Sequence, residues 1–423
     1  MSYRGGGGGR GFGGRSRGRG GARGGRGGGG RGAYGGGGGG GGAQLGSETC
    51  RRHIEGKCEF EQQNGRPCRY PHFVKKIGEV RGHNAIVKDV VMWAARQQLF
   101  TCAGDATIKL WDCASWQELT TLNVHANPPM GREKDRGEGV SAMVLEGSFL
   151  FVGFEGQLPY NTAVPVGMIR GWNLDNPAQT FEFHVSEQMP FAHGMPVQSL
   201  AVATDPTGNA TLFSGSTDGT IRYWQLDATT NQFKCRGTLD GHVRSVTRLK
   251  TFVMGTAPIL ASASVDSTIR LWDLTTFQCV KVLSKEENGH TEAVMDLEFW
   301  VNQGETFLIS GGLDSEIIVW SMAPPFQQLF KETQDSPVTA LCGTQDVTQA
   351  PILLIGTADG AITVKELPSF AYKTTFVARA NFGHQDTVRR IATGPHNTFF
   401  SVGNDRRMLA WQVTGDANSV QPK

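Results

Sequence analysis

The chain has no long apolar run. Nowhere in its 423 residues do about 18 apolar side chains follow one another, the minimum for a membrane-spanning helix, and no membrane association is expected. The first residues are glycine and arginine, not the apolar stretch of a secretory signal, so none is expected either. Cysteine is scarce. Of eight, three fall between Cys50 and Cys68, and the other five (Cys102, Cys113, Cys235, Cys279 and Cys342) lack the spacing of a disulfide framework. Those five are expected as reduced thiols filling apolar sites of an intracellular protein. Acidic residues are absent from residues 1–47, which hold eight arginines (Arg4, Arg10, Arg15, Arg17, Arg19, Arg23, Arg26 and Arg31).

That last absence divides the charge. The net +2 of the whole chain is the balance of +8 on residues 1–47, five basic against four acidic residues in 48–73, and 28 basic against 35 acidic residues from 74 onward. Polyanions should meet the first two segments and be repelled by the third. Residues 1–47 are also mostly glycine and cannot bury enough surface to offset the entropy of ordering, so a disordered tail is expected. Hydrophobic residues make up 39% of the chain, enough for a sizeable core beyond the tail.

Between the two lies "CRRHIEGKCEFEQQNGRPCRYPH", with spacing Cys50-x7-Cys58-x9-Cys68-x3-His72. Three thiolates and one imidazole form a closed tetrahedral set for one structural Zn2+. A segment of this length cannot hold itself together by burial, and metal ligation worth roughly 10–16 kcal/mol replaces the missing core.

From residue 80 onward a pattern repeats: "GDATIKLWD", "STDGTIRYW", "SVDSTIRLWD", "GLDSEIIVW" and "GNDRRMLAW". An aspartate lies six residues before each tryptophan (Asp105/Trp111, Asp218/Trp224, Asp266/Trp272, Asp314/Trp320, Asp405/Trp411), and a hydroxyl four before the aspartate (Thr101, Ser214, Ser262, Ser310, Ser401). Gly-His pairs precede four of these units, at His83, His242, His290 and His384. Two weaker units carry Trp172 and, in the tryptophan position, Lys365, which we read as the mark of a degenerate unit. Short strands at this period predict an all-β, seven-bladed β-propeller. After Trp411 the sequence offers no good outer strand, so Val74–Val80 is predicted to pair with the last blade. His, Ser and Asp together are hydrolase residue types, yet their recurrence blade after blade argues for structure, since an activated nucleophile is needed once. Segments 123–139 and 153–167 read as long loops, candidates for partner docking. Arg244, Glu292 and Asp386, just after Gly-His pairs, are weaker candidates.

Cys50–His72, with its "CRYPH" ending, resembles CCCH zinc fingers, and the units from 74 to 415 resemble WD repeats. Their order resembles the zinc finger WD-repeat proteins of plants. The resemblance implies a nuclear, non-catalytic protein, present also in the cytoplasm as a second choice, whose His–Ser/Thr–Asp–Trp sets form buried hydrogen-bond chains. It implies that Tyr70 and Phe60 stack on bases while Arg51, Arg52, Lys57, Arg66 and Arg69 meet phosphates or base edges. The middle gap is longer than is usual in that family, and Glu59 and Glu61 work against a polyanion. The tail resembles arginine-glycine-glycine boxes of RNA-binding proteins.

The expected layout is a Gly/Arg tail (1–47), a zinc finger (48–73), a propeller (74–415) and a short C-terminal tail (416–423). The expected function is a nucleic-acid-binding adaptor, with RNA on the tail and finger, DNA as second choice, protein partners on the propeller, and no small-molecule substrate. The alternative is a protein-only scaffold, for example a ubiquitin-ligase substrate receptor, with the finger as a cap and the tail as a solvated arm.

Overall fold

In a computed structural model of the chain, the described residues are 55, 63, 72–124, 139–158, 161–176, 178–204, 208–254, 257–376 and 383–415. The expected tail and nearly all of the expected finger lie outside them.

The repeated units fold into seven antiparallel four-stranded sheets. Blades 1 to 6 span 87–123, 140–182, 197–239, 246–283, 294–333 and 338–376, each with its strands in sequence order. Innermost strands pack in succession around a central channel, from Val87–Trp93 through Val140–Glu146 and on to Val388–Thr393, which returns against Val87–Trp93. No helix among the described residues is long and apolar enough to cross a membrane.

Blade 7 has three strands within 388–413 and takes its fourth from Val74–Val80, which pairs antiparallel with Met408–Val413 from Val74↔Val413 to Val80↔Met408. Val74 and Val80 are buried, and each such side chain is worth about 1.5–3 kcal/mol. Phe73, 4% exposed, joins the apolar cluster between blades 6 and 7 that includes Trp411 and Phe376.

Every innermost strand begins with a buried valine: Val87, Val140, Val197, Val246, Val294, Val338 and Val388. A bulge follows each one. Four of these valines set the blade spacing, because each leans on a glycine of the preceding blade. A Cβ on Gly153, Gly215, Gly311 or Gly356 would lie 2.6, 2.6, 2.4 or 2.7 Å from Cγ1 of Val197, Val246, Val338 or Val388.

Just inside the bulges, four charged side chains span the channel. Arg390 of blade 7 donates through Nε to Asp89 of blade 1 (3.1 Å) and through Nη1 to Asp296 of blade 5 (3.2 Å). Arg248 of blade 4 is ion-paired with Asp296 at 2.9 Å. Each aspartate also accepts a backbone N–H from the next blade, Met143 for Asp89 and Leu341 for Asp296, both at 2.9 Å. Burial would raise the Asp296 carboxyl, but the Arg248 and Arg390 guanidiniums outweigh it and hold it below its ordinary value. Arg390 lines both channel cavities, of about 450 and 260 Å³, so this network lies where the two meet.

The segment 153–167 is not the loop expected. It belongs to a long hairpin, strands Phe149–Leu158 and Asn161–Asn173 of blade 2, paired out to Leu158↔Asn161. Glycine and proline there mimic turn chemistry, yet the proline pairs near the hairpin's end (Gln157↔Pro165), where a missing N–H is tolerated. Of 123–139, residues 125–138 lie outside the described residues.

The valine–glycine fit is directly testable. Gly311→Ala should cost about 1–3 kcal/mol by overpacking against Val338. Adding Val338→Ala should recover part of that loss in chemical denaturation. A double variant whose cost is the simple sum of the two single ones would show that the two residues do not set the spacing.

Candidate functional site

Of the predicted zinc ligands and nucleic-acid contacts, only His72 is among the described residues. Cys50, Cys58, Cys68, Tyr70, Phe60, Arg51, Arg52, Lys57, Arg66 and Arg69 lie outside them. His72 is half-buried, and its backbone is fixed to the propeller seam. Its carbonyl accepts a hydrogen bond from Thr414 Oγ1 at 2.7 Å, and the Phe73 carbonyl accepts one from Thr414 N at 2.9 Å. The last residue of the Cys50–His72 set is therefore joined to the propeller with no free linker. As a donor set, three thiols and an imidazole suit Zn2+.

The hydrogen-bond chains exist, and among the described residues there are five. In blades 1, 3, 4, 5 and 7 the tryptophan Nε1–H donates to the Ser or Thr hydroxyl oxygen at 2.8, 2.9, 2.9, 2.9 and 2.8 Å. The same oxygen meets the histidine Nε2 at 2.8, 2.7, 2.8, 2.8 and 2.8 Å. Nδ1 of that histidine faces the aspartate at 3.3, 3.3, 2.9, 3.0 and 2.9 Å. The aspartate then accepts the backbone N–H after the histidine, from Asn84, Gly194, Val243, Thr291 and Gln385. Two strands, the turn between them and the segment before the innermost strand are tied by a single chain of groups that satisfy one another.

His193, in blade 3, is the member that the sequence pattern missed. Its glycine follows it (His193-Gly194) where the other four have glycine before the histidine. Its distance from the hydroxyl residue was the available signal, because Ser214 lies 21 positions on, within the 17 to 20 of the others plus one. The four serine hydroxyl residues are fully buried and Thr101 is 1% exposed, so none can reach a substrate. This separates the chains from a hydrolase triad on geometry alone.

Carboxylates in these chains are strongly acidic. Burial works to raise Asp105 and Asp314, but hydrogen bonds and charge from His83 and His290 outweigh it and bring both down to about 2. Asp218, Asp266 and Asp405 shift down by the same opposition of burial and histidine. Burial also pushes His193 below its ordinary value, against the opposing pull of Asp218.

Blades 2 and 6 replace the chain. Strand register puts Val152 and Ile355 where the others have the hydroxyl. Blade 6 is more than a degenerate unit. Lys365, 5% exposed, reaches both carboxylate oxygens of Glu332 on the outer strand of blade 5 at 2.6 Å. A bond within the blade has become an ion pair between blades.

Comparison with known proteins agrees with this architecture. The family model "WD domain, G-beta repeat" matches residues 74–112, 185–225, 233–273 and 277–321; outside the matches lie blades 2 and 6, where the chain is replaced, and also 388–413 of blade 7, where it is present. Zinc finger CCCH domain-containing protein 48 of Arabidopsis thaliana is 32% identical over 377 residues, 88% of this chain and 75% of that protein. Zinc finger CCCH domain-containing protein 17 of Oryza sativa subsp. japonica is 30% identical over 378 residues, 88% of this chain and 74% of that protein. The chain belongs to the plant family of CCCH zinc finger proteins with WD repeats. Zinc finger CCCH domain-containing protein 63 of Arabidopsis thaliana is similar at 29% over 382 residues. In this zinc finger WD-repeat protein the described site is thus the blade 7 seam that fixes the backbone of His72 and Phe73, together with the blades around it.

Because the aspartates titrate below their ordinary value, their contribution is full above about pH 4 and is lost as pH falls toward 2. For Asp314, a shift from 3.8 to about 2 corresponds to about 2 kcal/mol. Asp314→Asn should therefore be less stable near neutral pH, by about 1–3 kcal/mol, and lose less on acidification. Urea denaturation from pH 6 to pH 2.5 checks this. An unchanged acid slope in the variant would remove Asp314 from the chain.

Proposed function

We propose that this protein is a non-catalytic adaptor: residues 1–73 hold RNA, with DNA as second choice, and the propeller recruits protein partners. Charge division supports this reading most strongly. Eight arginines without an acid precede the finger, and the propeller segment carries 28 basic against 35 acidic residues. A single-stranded polyanion would be attracted by the first and repelled by the second.

In this reading one zinc ion, held by Cys50, Cys58, Cys68 and His72, supplies the fold of 48–73. Tyr70 and Phe60 offer faces for bases, and Arg51, Arg52, Lys57, Arg66 and Arg69 offer charge to phosphates or base edges. Anchoring of His72 and Phe73 on the Thr414 backbone and side chain favours transmission, because a nucleic acid held by the finger is held close to the blade 7 seam. A nuclear location belongs with this role. Burial of the five hydroxyls supports the absence of hydrolase chemistry at the repeated His–Ser/Thr–Asp sets.

Filter binding of single-stranded RNA against salt tests the proposal. Affinity should fall as salt rises, and deleting residues 1–47 should flatten the slope. Tyr70→Ala should weaken RNA by about 1–3 kcal/mol at unchanged zinc content, measured as one ion per chain by elemental analysis. RNA affinity indifferent to both changes would leave the protein-only scaffold as the better reading.

A further inference from the structure

The smaller channel cavity, about 260 Å³, opens on the side where the innermost strands begin. Its wall is a ring built from one equivalent position per blade, the residue after each inner valine. Those residues are Lys88, Ser141, Gln198, Thr247, Thr339 and Arg389, with Met295 in blade 5. The ring contains two cations, which come from neighbouring blades 1 and 7, and no acid. Below it the floor is Arg390, committed to Asp89 and Asp296.

We propose that this mouth is a binding site for a single phosphate-sized oxyanion, held between Lys88 and Arg389. Several observations converge on it. Lys88 Nζ donates to Ser141 Oγ at 3.3 Å, which sets the ammonium toward blade 2 and leaves the Ser141 O–H to donate. Arg389 uses Nε on Asn404 Oδ1 at 2.6 Å, which leaves its two terminal nitrogens for a ligand in the fork geometry that suits a phosphate. Thr247 and Thr339 spend their protons on backbone carbonyls of blades 5 to 7 and stiffen the rim.

Charge accounting in the channel points the same way. Arg390, between two aspartates, is pushed up. Lys88 and Arg389 are instead pushed down, chiefly by burial, and Lys88 further by Arg389 itself. The acids that face them, Glu155 for Lys88 and Asp386 for Arg389, do not offset that burial. An added anion would. The cavity is smaller than the roughly 300–1,000 Å³ of sites that enclose drug-sized ligands, which favours a small occupant. A polyanion is disfavoured by the acidic excess of the segment from 74 onward. What remains is one anionic group, either free phosphate or a phosphate ester on a protein side chain.

Titration calorimetry of the full-length chain with inorganic phosphate, at constant ionic strength, tests the site. Saturable binding is expected, with affinity reduced at least 10-fold in both Lys88→Gln and Arg389→Gln. Lys250→Gln, a change in the larger cavity where Lys250 pairs with Glu298 at 3.0 Å, should bind as the parent does. A phosphoserine peptide that displaces phosphate, more tightly than phosphate binds and in a Lys88-dependent way, would identify the side-chain source. Phosphate bound while that peptide is not would identify the free ion. Absence of saturable phosphate binding, binding indifferent to both variants, or displacement by RNA in a Lys88-dependent way would overturn the proposal.

Discussion

The pairing of Val74–Val80 with Met408–Val413 is the constraint on which the rest depends. Six blades are built from consecutive sequence, but the seventh is incomplete without a strand that precedes the first. With it, no blade lacks its fourth strand and the packing of innermost strands runs full circle. The seam also absorbs charge. Arg407 takes the place that a threonine fills in blades 1, 3 and 4, and it reaches Asp405 of the blade 7 chain, the Gly383 carbonyl and Glu79 on the closing strand. His72, the last residue of the Cys50–His72 spacing, sits one position before the buried Phe73, so closure of the ring also fixes the His72 backbone.

Around that seam the blades are redundant in kind but not in detail. Five carry a polar chain of tryptophan, hydroxyl, imidazole and carboxylate, and two do without it. Each chain is local, so losing one weakens a blade without opening the ring. Between blades the links are of another sort: a valine on a glycine, a lysine on the neighbour's glutamate, an aspartate on the next blade's N–H. Arg390 reaches both Asp89, 301 positions away in sequence on the adjoining blade 1, and Asp296 of blade 5. The polar groups most suited to chemistry are buried in structure, and those with room for a ligand are at the channel mouth and, in our proposal, on the finger.

Much of this was legible in the residues. The aspartate six before tryptophan fixed five blades, and the poor strand after Trp411 was enough to place Val74–Val80. Other features resisted reading for physical reasons. His193 escaped because its glycine is on the wrong side, although it makes the same contacts. The 153–167 hairpin escaped because Gly153, Gly156 and Pro165 look like turn residues while serving close packing and a strand end. Lys365 looked like decay because its partner, Glu332, lies in another blade. The channel network and the ring of Lys88 and Arg389 depend on which residues the circle brings together, which no local pattern encodes. Of the expected zinc ligands, only His72 is among the described residues, and its proposed ligand role rests on donor chemistry and spacing.

The most direct test of the account is native-state hydrogen exchange of the closing strand. If closure holds the molecule together, the paired amides of Val74–Val80 and Met408–Val413 should exchange only with global unfolding, at the rates of the inner strands. Fast exchange of Val74–Val80, with the inner strands still protected, would contradict it, because the ring would then persist without its closing strand.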